Sequence, residues 1–348
     1  MQKYFALDPQ SSDRGSTAIE LVTLLRLLAL FRRESTFVER DIRLLSKHFL
    51  LTPLQWNYVT GPFRLAKVLS HHDLVYSWFA GPHSAAAALL AHLSGAKTLV
   101  MLGGFDCVRI PEINYGAFLN PVRASTVRTA VRLSDRVAAV DPSLVDDLRQ
   151  NFPTTVEIRV MPTGYDSREF YPVGDKEPMI LTVGDIDESA ALRKGLYTFA
   201  KVAAELRDLT FVLAGKIRSI RVARVLKRAS SDRLVMIGPL GGGELLRYYQ
   251  RSRVYCQLSR HEGLPNAVCE AMLCECVPVG THFGGIPTAI GTTGQYCRFG
   301  DVEDTCRAIR SAMRMTGSAA RTRIQEFFPI GRRERELVGL LNEMAKDA

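Results

Sequence analysis

The residues best suited to chemistry lie in one short stretch that contains two glutamates. Glu262 lies in a polar loop after the apolar run 254–258, and Glu270 lies on the second turn of the helix that this loop opens. Pro265 and Asn266 fit the first helical positions, because proline has a suitable φ angle and asparagine offers a side-chain acceptor to unpaired N–H groups. Free N–H groups at a helix N-terminus favour a phosphate. Beside a diphosphate, a carboxylate is better suited to accept hydrogen bonds from sugar hydroxyls than to contact the anion.

Two glutamates alone are commonly solvated surface acids, but the sequence pattern around these two favours a functional role. The stretch resembles the donor-site motif of retaining family-4 glycosyltransferases, in which seven residues separate two glutamates. Glu262-Gly-Leu-Pro-Asn and Glu270-Ala-Met match as they stand, and Pro278-Val and Gly284-Gly285 continue the match. The resemblance implies that Glu270 holds the ribose of a nucleotide-sugar donor, that Glu262 faces the transferred sugar, and that backbone N–H groups between them bind the phosphates. The predicted donor-binding residues of this segment are Gly263, Leu264, Pro265, Asn266 and Ala267.

Two basic residues, Arg193 and Lys194, precede a glycine and a predicted helix. Such a pair is commonly a solvated surface, but the resemblance implies that both side chains point at the donor diphosphate, with Lys194 the better match. A cation there would bind the anion and stabilise the charge that develops on the departing diphosphate. Many family members carry an arginine where this chain has Asp185, so that contact is either missing or supplied by Arg193.

An acidic tripeptide, Asp185-Ile-Asp187, spells the Asp-x-Asp pattern with which other glycosyltransferases hold a divalent metal. The pattern is common by chance, and a lysine together with helix N–H groups can stabilise a diphosphate without a metal ion. We therefore predict no metal site and no cofactor, because the nucleotide-sugar is a substrate.

In the first half of the chain, Gly103-Gly-Phe-Asp106 follows a predicted strand. Many relatives in the resembled family carry His-Gly-x-Asp there, with the histidine near the transferred sugar. Gly103 occupies the histidine position, so that contact cannot be carried over. Asp106 remains a candidate to bond a sugar hydroxyl or the acceptor, or to cap a helix. The predicted catalytic residues are Glu262, Lys194 and Asp106.

Alternating strands and helices must position these residues. Apolar runs predict strands at 25–31, 49–51, 74–79, 98–102, 136–140 and 156–161, with helices at 37–48, 84–93 and 125–133. After a turn-rich segment, strands are predicted at 179–183, 209–214, 234–237, 254–258 and 277–280, with helices at 196–206, 220–229, 243–249 and 265–276. This alternation predicts parallel, doubly wound sheets. The predicted fold is α/β, with the GT-B architecture that the resemblance implies: two doubly wound Rossmann-like domains facing a cleft, where a ligand would bind.

The predicted domain limits follow from this alternation. We place an N-terminal extension at residues 1–24, an acceptor-side domain at 25–172 and a nucleotide-sugar-binding domain at 173–330. Pro162-Thr-Gly-Tyr-Asp166 resembles the run that precedes the second domain in the family, and we interpret it as a structural joint. The segment 331–348 is predicted to form a helix that crosses back to the first domain, as is common in GT-B enzymes.

The charge of the chain favours anionic partners. It carries 45 Lys and Arg against 36 Asp and Glu, a formal net charge of +9, which suits nucleotide-sugar diphosphates or an acidic membrane surface. Nucleic acid is not expected, because the sequence has no aromatic-studded basic stripe and no zinc-finger spacing. The basic helix 220–233, with Val222, Val225 and Leu226 inward, is either a solvated surface or a patch that touches anionic lipid.

A cytoplasmic location is predicted, with peripheral contact at the inner membrane surface as the alternative. Asp8 and Asp13 lie where a signal peptide would need apolar residues, and charged or polar residues interrupt the longest apolar stretches. The seven cysteines form no Cys-x-x-Cys pair, so we interpret them as small buried residues in a reducing compartment.

The resemblance implies a retaining, metal-independent hexosyltransferase of polysaccharide biosynthesis. It would move a sugar from a UDP-, GDP- or ADP-linked donor to a hydroxyl of a glycan or lipid-linked acceptor. Two alternatives remain open. A nucleotide-sugar 2-epimerase shares the architecture, and a non-catalytic nucleotide-sugar-binding subunit would fit the missing histidine and the departure at Asp185.

Overall fold

The computed structural model describes residues 24–347 and contains two parallel sheets of six strands each. Helices flank both sheets, so the predicted α/β fold class with two Rossmann-like units is confirmed. The extension predicted at 1–24 falls, apart from Leu24, outside the described residues.

The first sheet has the strand order β2-β1-β3-β4-β5-β6, and all its pairings are parallel. Its central strands are buried on both faces, as expected of a parallel sheet covered by helices. The strands are β1 (Arg26–Phe31), β2 (Leu50–Gln55), β3 (Leu74–Trp78), β4 (Lys97–Leu102), β5 (Arg136–Ala139) and β6 (Ile158–Val160). The helices are α1 (Thr36–Leu45), α2 (Gly61–Leu69), α3 (Pro82–Ser94), α4 (Pro121–Leu133) and α5 (Pro142–Asn151).

The second sheet has the order β12-β11-β10-β7-β8-β9 and is also parallel. Its strands are β7 (Glu177–Val183), β8 (Thr210–Ala214), β9 (Leu234–Ile237), β10 (Ser252–Gln257), β11 (Val277–Gly280) and β12 (Gln295–Tyr296). The helices of this half are α6 (Glu188–Arg193), α7 (Leu196–Glu205), α8 (Ile220–Ala229), α9 (Gly242–Arg251), α10 (Asn266–Leu273), α11 (Ile286–Ile290), α12 (Val302–Ala312), α13 (Ser318–Phe327) and α14 (Ile330–Lys346).

Each sheet has one switch point, where the direction in which strands are added reverses. In the first sheet β1 lies between β2 and β3, and in the second sheet β7 lies between β8 and β10. Loops diverge from the carboxyl ends of the strands at such a point and leave a crevice in which open α/β sheets bind ligands. The crevice of the second sheet is bounded by the loops that follow β7 and β10.

The last helix, α14, lies against the first domain. Arg333 is fully buried, and its guanidinium donates from Nη2 to Oδ2 of Asp41 on α1 at 2.7 Å and from Nη1 to the Met161 carbonyl at 2.8 Å. Burial lowers the pKa of Arg333, but the Asp41 carboxylate outweighs this effect and leaves the pKa raised. Near the other end of α14, Glu343 accepts hydrogen bonds from Arg159.

Several elements are absent from the sequence prediction: α2, α5, α6, α11, α12, α13 and β12. The basic helix α8 is correct in its bounds but not in its packing, because Val225 is 45 % exposed whereas Val222 and Leu226 are buried. Among residues 24–347, no helix combines the length and the apolar character that crossing a bilayer requires.

Candidate active site

The crevice of the second sheet brings together most of the predicted site residues. We call this region the donor corner and define it as Arg193, Lys194, Glu262 and the first turn of α10. Arg193 is the last residue of α6 and Lys194 follows it, in the connection that leaves β7, whereas Glu262 lies in the loop after β10. These residues come from separate segments and meet because β7 and β10 are neighbours in the sheet.

One carboxylate oxygen of Glu262 contacts both cations of the donor corner. Its Oε1 accepts from Arg193 Nη1 at 2.6 Å and Ser259 Oγ at 3.0 Å, and Lys194 Nζ lies 3.5 Å away. Gln257 Nε2 donates to the same oxygen at 3.1 Å. Burial raises the pKa of Glu262, but Arg193 and Lys194 outweigh it and hold the pKa at about 2. Since all four contacts meet Oε1, Oε2 is the oxygen that can meet a sugar hydroxyl.

Two glycines allow Lys194 to reach this position. A Cβ at Gly184, the residue after β7, would lie 2.5 Å from Lys194 Cδ, so the lysine stem passes over the bare backbone. Gly195 has a φ angle of +65°, and a Cβ there would lie 2.3 Å from the Leu258 carbonyl oxygen. Glycine after the lysine therefore permits both a left-handed turn and the close approach of α7 to the end of β10.

The amino terminus of α10 lies at the donor corner and has no side-chain cap. Pro265 precedes the helix, and no side chain caps it. The predicted capping role of Asn266 is wrong, because its Oδ1 accepts from the Tyr165 hydroxyl at 2.9 Å instead. The first amides of a helix have no intrahelical acceptor, so those of α10 are available to a phosphate. Of the other predicted donor-binding residues, Leu264 is buried and Ala267 lies in this first turn.

Glu270 is buried on the second turn of α10 and contacts two protein donors. Its Oε1 accepts from Arg40 Nη2 at 3.0 Å, and its Oε2 accepts from the Tyr249 hydroxyl at 3.3 Å. Burial raises the pKa of Glu270, and Arg40 opposes that shift. Arg40 belongs to α1 of the first domain and also donates to the Gly164 carbonyl at 3.3 Å. A ribose at Glu270 would therefore share or replace these partners.

Asp106 accepts hydrogen bonds from backbone amides of the first domain. It is 1 % exposed and accepts from the amides of Ala80 and Gly104, each at 2.8 Å, and of Gly103 at 3.2 Å. The carboxylate ties the loop after β4 to the loop after β3 and also lines a cavity of the first domain, so the sugar or acceptor contact of Asp106 stays a prediction. A side chain at Gly103 would collide with Phe79, whose Cε1 lies 2.2 Å from the Cβ position.

Asp185 and Asp187 have separate structural partners. Asp185 accepts from Arg218 Nε at 2.6 Å, and Asp187 caps α6 by accepting from the Ala190 amide at 2.8 Å. Within residues 24–347, no three His, Cys, Asp or Glu side chains gather in an arrangement that could hold a metal ion.

The sequence prediction missed residues that join the two domains at the donor corner. His261 Nε2 is 2.8 Å from Asp147 Oδ2 of α5, and the Arg193 guanidinium lies 5.1 Å from the centre of the Tyr115 ring. A Cβ at Gly263 would lie 2.5 Å from the Gly103 carbonyl oxygen, so the two backbones touch there. These contacts link residues far apart in the chain, so no local sequence motif could predict them.

Solved glycosyltransferases share the whole architecture. Sucrose-phosphate synthase from Thermosynechococcus elongatus superposes with a TM-score of 0.76 at 15% identity, over 93% of this chain and 100% of that one. Alr3699/HepE from Anabaena, solved with UDP and glucose, gives a TM-score of 0.77 at 14% identity, over 91% of this chain and 99% of that one. At such identities the likeness shows the fold, which is the GT-B fold.

Family models cover both halves of the chain. Residues 22–169 match the model described as Glycosyltransferase Family 4, and residues 177–315 match the model described as Glycosyl transferases group 1. The chain belongs to these family-4, group 1 glycosyltransferases.

Two curated relatives match part of this chain in sequence. The N-acetyl-alpha-D-glucosaminyl L-malate synthase of Bacillus anthracis is 23% identical over 246 residues, which are 66% of this chain and 62% of that protein. The serotype-specific mannosyltransferase WbdA of Escherichia coli is 25% identical over 159 residues, which are 43% of this chain and 20% of that protein. The chain thus spans less than two thirds of the length of either relative.

Proposed function

We propose that this chain is a retaining glycosyltransferase that moves a sugar from a nucleotide-diphosphate donor to an acceptor hydroxyl. The observation that carries the proposal is the donor corner, where two cations and an uncapped helix amino terminus meet at the switch point of the second sheet. Both features favour a diphosphate. The Anabaena neighbour was solved with UDP and glucose, which supports a uridine-linked donor among the candidate nucleotides.

The residues of the donor corner divide the work between binding and transfer. Arg193 and Lys194 exchange Glu262 for the diphosphate and then stabilise the negative charge that grows as the phosphate departs. The departing phosphate accepts the proton of the acceptor hydroxyl on the face from which it leaves, which retains the anomeric configuration. Glu270 binds the ribose, and Glu262 Oε2 binds the transferred sugar. No divalent metal is needed in this scheme.

The experiment that tests the function is donor turnover without an acceptor. Purified protein is incubated with UDP-, GDP- and ADP-sugars, and release of free sugar and nucleoside diphosphate is followed by NMR, with and without EDTA. We expect slow hydrolysis of one donor class that EDTA does not change. A protein that binds donor but never hydrolyses it would support the binding-subunit alternative. Conversion to the C2 epimer of the intact nucleotide-sugar would show the 2-epimerase, and loss of activity in EDTA that Mn²⁺ restores would contradict metal independence.

We also propose that α8 contacts an anionic membrane when the acceptor is lipid-linked. Arg224, Lys227 and Arg228 are exposed on this helix, and the exposed apolar side chains of Ile220 and Val225 lie among them. A mixed cationic and apolar helix face suits an anionic interface. Co-sedimentation with phosphatidylglycerol vesicles tests this contact, and replacing the three cations with glutamine should abolish it.

A further inference from the structure

A second crevice lies in the first domain, at the switch point of the first sheet. A cavity of about 410 Å³ opens there between the loops that follow β1, β3 and β4. Residues 32–127 supply all of its lining, so the donor corner contributes none of it. We call it the first-sheet cavity.

Three arginines converge on the first-sheet cavity. Arg32 and Arg33 come from the loop after β1, and Arg123 comes from the first turn of α4. The Arg32 guanidinium lies 5.2 Å from the centre of the Tyr58 ring, and that of Arg123 lies 5.9 Å from the centre of the Phe105 ring. Both arginines thus lie over aromatic rings that also line the cavity. Planar guanidinium groups in this position suit a phosphate or a carboxylate.

The backbone adds two features that point the same way. The helix α3 begins at Pro82 in the cavity wall, so the positive end of its dipole faces the space that the arginines surround. Phe79 has a φ angle of +69°, which is unusual for a residue with an aromatic side chain, and its ring also lines the cavity. Strained backbone of this kind clusters at ligand sites.

His83 contributes a buried acceptor at the wall of the first-sheet cavity. It is 3 % exposed, and its Nε2 donates to the Trp78 carbonyl at 2.8 Å, which leaves a lone pair on Nδ1. Burial and the nearby Arg32 lower the pKa of His83 to about 4, so the ring is neutral near pH 7. Among residues 24–347, Nδ1 has no hydrogen-bond partner. A hydroxyl or water held beside Gly81 would satisfy it.

A pair of aromatic rings connects the first-sheet cavity to the donor corner. Phe105 lines the cavity, and its ring centre lies 5.3 Å from that of Tyr115. The Arg193 guanidinium in turn lies 5.1 Å from the centre of the Tyr115 ring. The rings of Phe105 and Tyr115 therefore connect a molecule in the cavity to the cations proposed to hold the donor diphosphate.

We propose that the first-sheet cavity binds the acceptor, and that this acceptor carries an anionic group, a phosphate or a carboxylate, near the hydroxyl that receives the sugar. The inference rests on the proposed glycosyltransferase function. In the reaction the acceptor oxygen bonds to the anomeric carbon, the bond from that carbon to the donor phosphate breaks, and the hydroxyl proton passes to the departing diphosphate. The arginines hold the anionic group and so fix the position of the hydroxyl.

Intrinsic fluorescence gives a direct binding assay, because both tryptophans of the chain lie beside the cavity. Trp56 is 6.4 Å from His83 and Trp78 is 5.7 Å from Phe79, measured between ring centres. The probes are glycerol 3-phosphate and neutral glycerol. We expect a saturable signal with the phosphate only. Arg33→Gln and Arg123→Gln should each weaken this binding about tenfold or more, because each removes a charged hydrogen bond.

The matched control is Arg149→Gln, an exposed arginine on α5 of the same domain that does not line the cavity. It should bind the phosphate probe as the unaltered protein does, and circular dichroism checks that every variant is folded. Equal responses to glycerol and glycerol 3-phosphate, or equal losses in all three variants, would overturn the proposal.

Vesicles identify the source of the anionic group. Phosphatidylcholine vesicles with and without phosphatidic acid are added in the same assay. A response to both glycerol 3-phosphate and phosphatidic acid supports a lipid-borne acceptor, and a response to glycerol 3-phosphate alone supports a free one. Donor hydrolysis by the unaltered protein separates failure of the anionic-acceptor proposal from failure of the proposed function. Hydrolysis without phosphate binding overturns only the anionic acceptor, whereas phosphate binding without hydrolysis or transfer overturns the acceptor role together with the proposed function.

Discussion

The charged side chains of the donor corner, and Glu270 beside it, form ion pairs within the protein. Glu262 holds Arg193 and approaches Lys194, and Glu270 holds Arg40. Such pairs keep buried charges compensated, because an unpaired buried charge is costly. In the proposed function, an incoming diphosphate replaces the Glu262 carboxylate at Arg193 and Lys194. The residues can therefore be tested one at a time by asking which step of binding or transfer each affects.

The Lys194→Ala variant should lose more turnover than donor affinity. In the proposed reaction the lysine contacts the ground-state diphosphate and also the larger charge that develops on it during transfer, so only part of its contribution should appear in binding. A charged hydrogen bond is typically worth about 1.5–3 kcal/mol. Steady-state kinetics with calorimetric donor affinities separate the two effects, and Lys201→Ala, an exposed lysine on α7, is the control. Equal losses in turnover and affinity, or no loss, would place Lys194 outside the site.

The two glutamates should contact different parts of the donor. Glu270→Gln should weaken UDP, or whichever nucleoside diphosphate binds, and the full donor alike by about ten- to a hundredfold, because ribose is common to both ligands. Glu262→Gln should lower turnover without weakening nucleoside diphosphate binding, since its proposed partner is the transferred sugar and the diphosphate takes its place at Arg193 and Lys194. Calorimetry with both ligands on both variants measures this. Identical behaviour of the two variants towards the diphosphate would mean that the roles are wrongly assigned.

The acid dependence of stability should reveal the pairing of Glu262. Its pKa falls from 4.5 in the unfolded chain to about 2 in the fold, so its contribution is present above pH 4.5 and is lost as the pH falls towards 2. A shift of this size corresponds to about 3 kcal/mol at neutral pH. Urea unfolding should show Glu262→Gln less stable at pH 7, with the difference narrowing as the pH falls below 4.5. A difference that stays constant with pH would contradict the pairing.

Sequence reasoning at the residue scale found the residues carried by a contiguous motif and missed those that act across the fold. Glu262, Lys194 and Arg193 were predicted and do come together. Arg40 lies 230 residues from Glu270 in the chain, so no local spacing could reveal that contact. The backbone contacts of Asp106 could not be predicted, because a carboxylate after a strand has the same sequence appearance whether it meets a ligand or the amides of its own loop.

At the scale of elements, glycines bring helices close enough to strands to build the donor corner. Gly195→Ala should destabilise the protein by about 1–2 kcal/mol for the left-handed backbone, and further because the new Cβ would meet the Leu258 carbonyl. Gly174→Ala is the matched control, since its φ angle is +62° but nothing lies within 4 Å of the Cβ position. Thermal unfolding and donor affinity measure both. Equal effects of the two substitutions would show that the close approach of α7 to β10 contributes nothing.

The elements that the sequence predicted are those with continuous apolar runs, such as β1, β3 and β7, because strands buried on both faces need them. The missed elements have weaker patterns. The helix α2 contains Gly61 and Pro62 and exposes Phe63, which obscures its periodicity. The strand β12 has only two residues, and its pairing depends on the tertiary fold.

At the scale of the whole molecule, one short segment joins both domains and the last helix. Tyr165 exchanges backbone hydrogen bonds with Phe328 and Ile330, each at 2.9 Å, and its hydroxyl donates to Asn266 at the start of α10. Gly164 has no room for a side chain, because a Cβ would lie 2.7 Å from that of Arg333. The segment predicted as a structural joint therefore contacts the amino termini of both α10 and α14. The same segment thus contacts both the donor corner and the last helix.

The buried pair between Asp41 and Arg333 should decide whether α14 stays on the first domain. Asp41→Ala leaves a fully buried guanidinium without its carboxylate, which typically costs about 3–5 kcal/mol. We expect this loss in urea unfolding, together with faster amide hydrogen exchange along α14, because the helix loses its anchor. Glu343→Ala removes the acid of a solvent-exposed pair with Arg159 on the same helix and should change both measurements little. If Asp41→Ala lowers global stability but leaves α14 as protected as the other helices, α14 is held by its apolar face, through Leu337 and Leu341, and the buried ion pair does not position it.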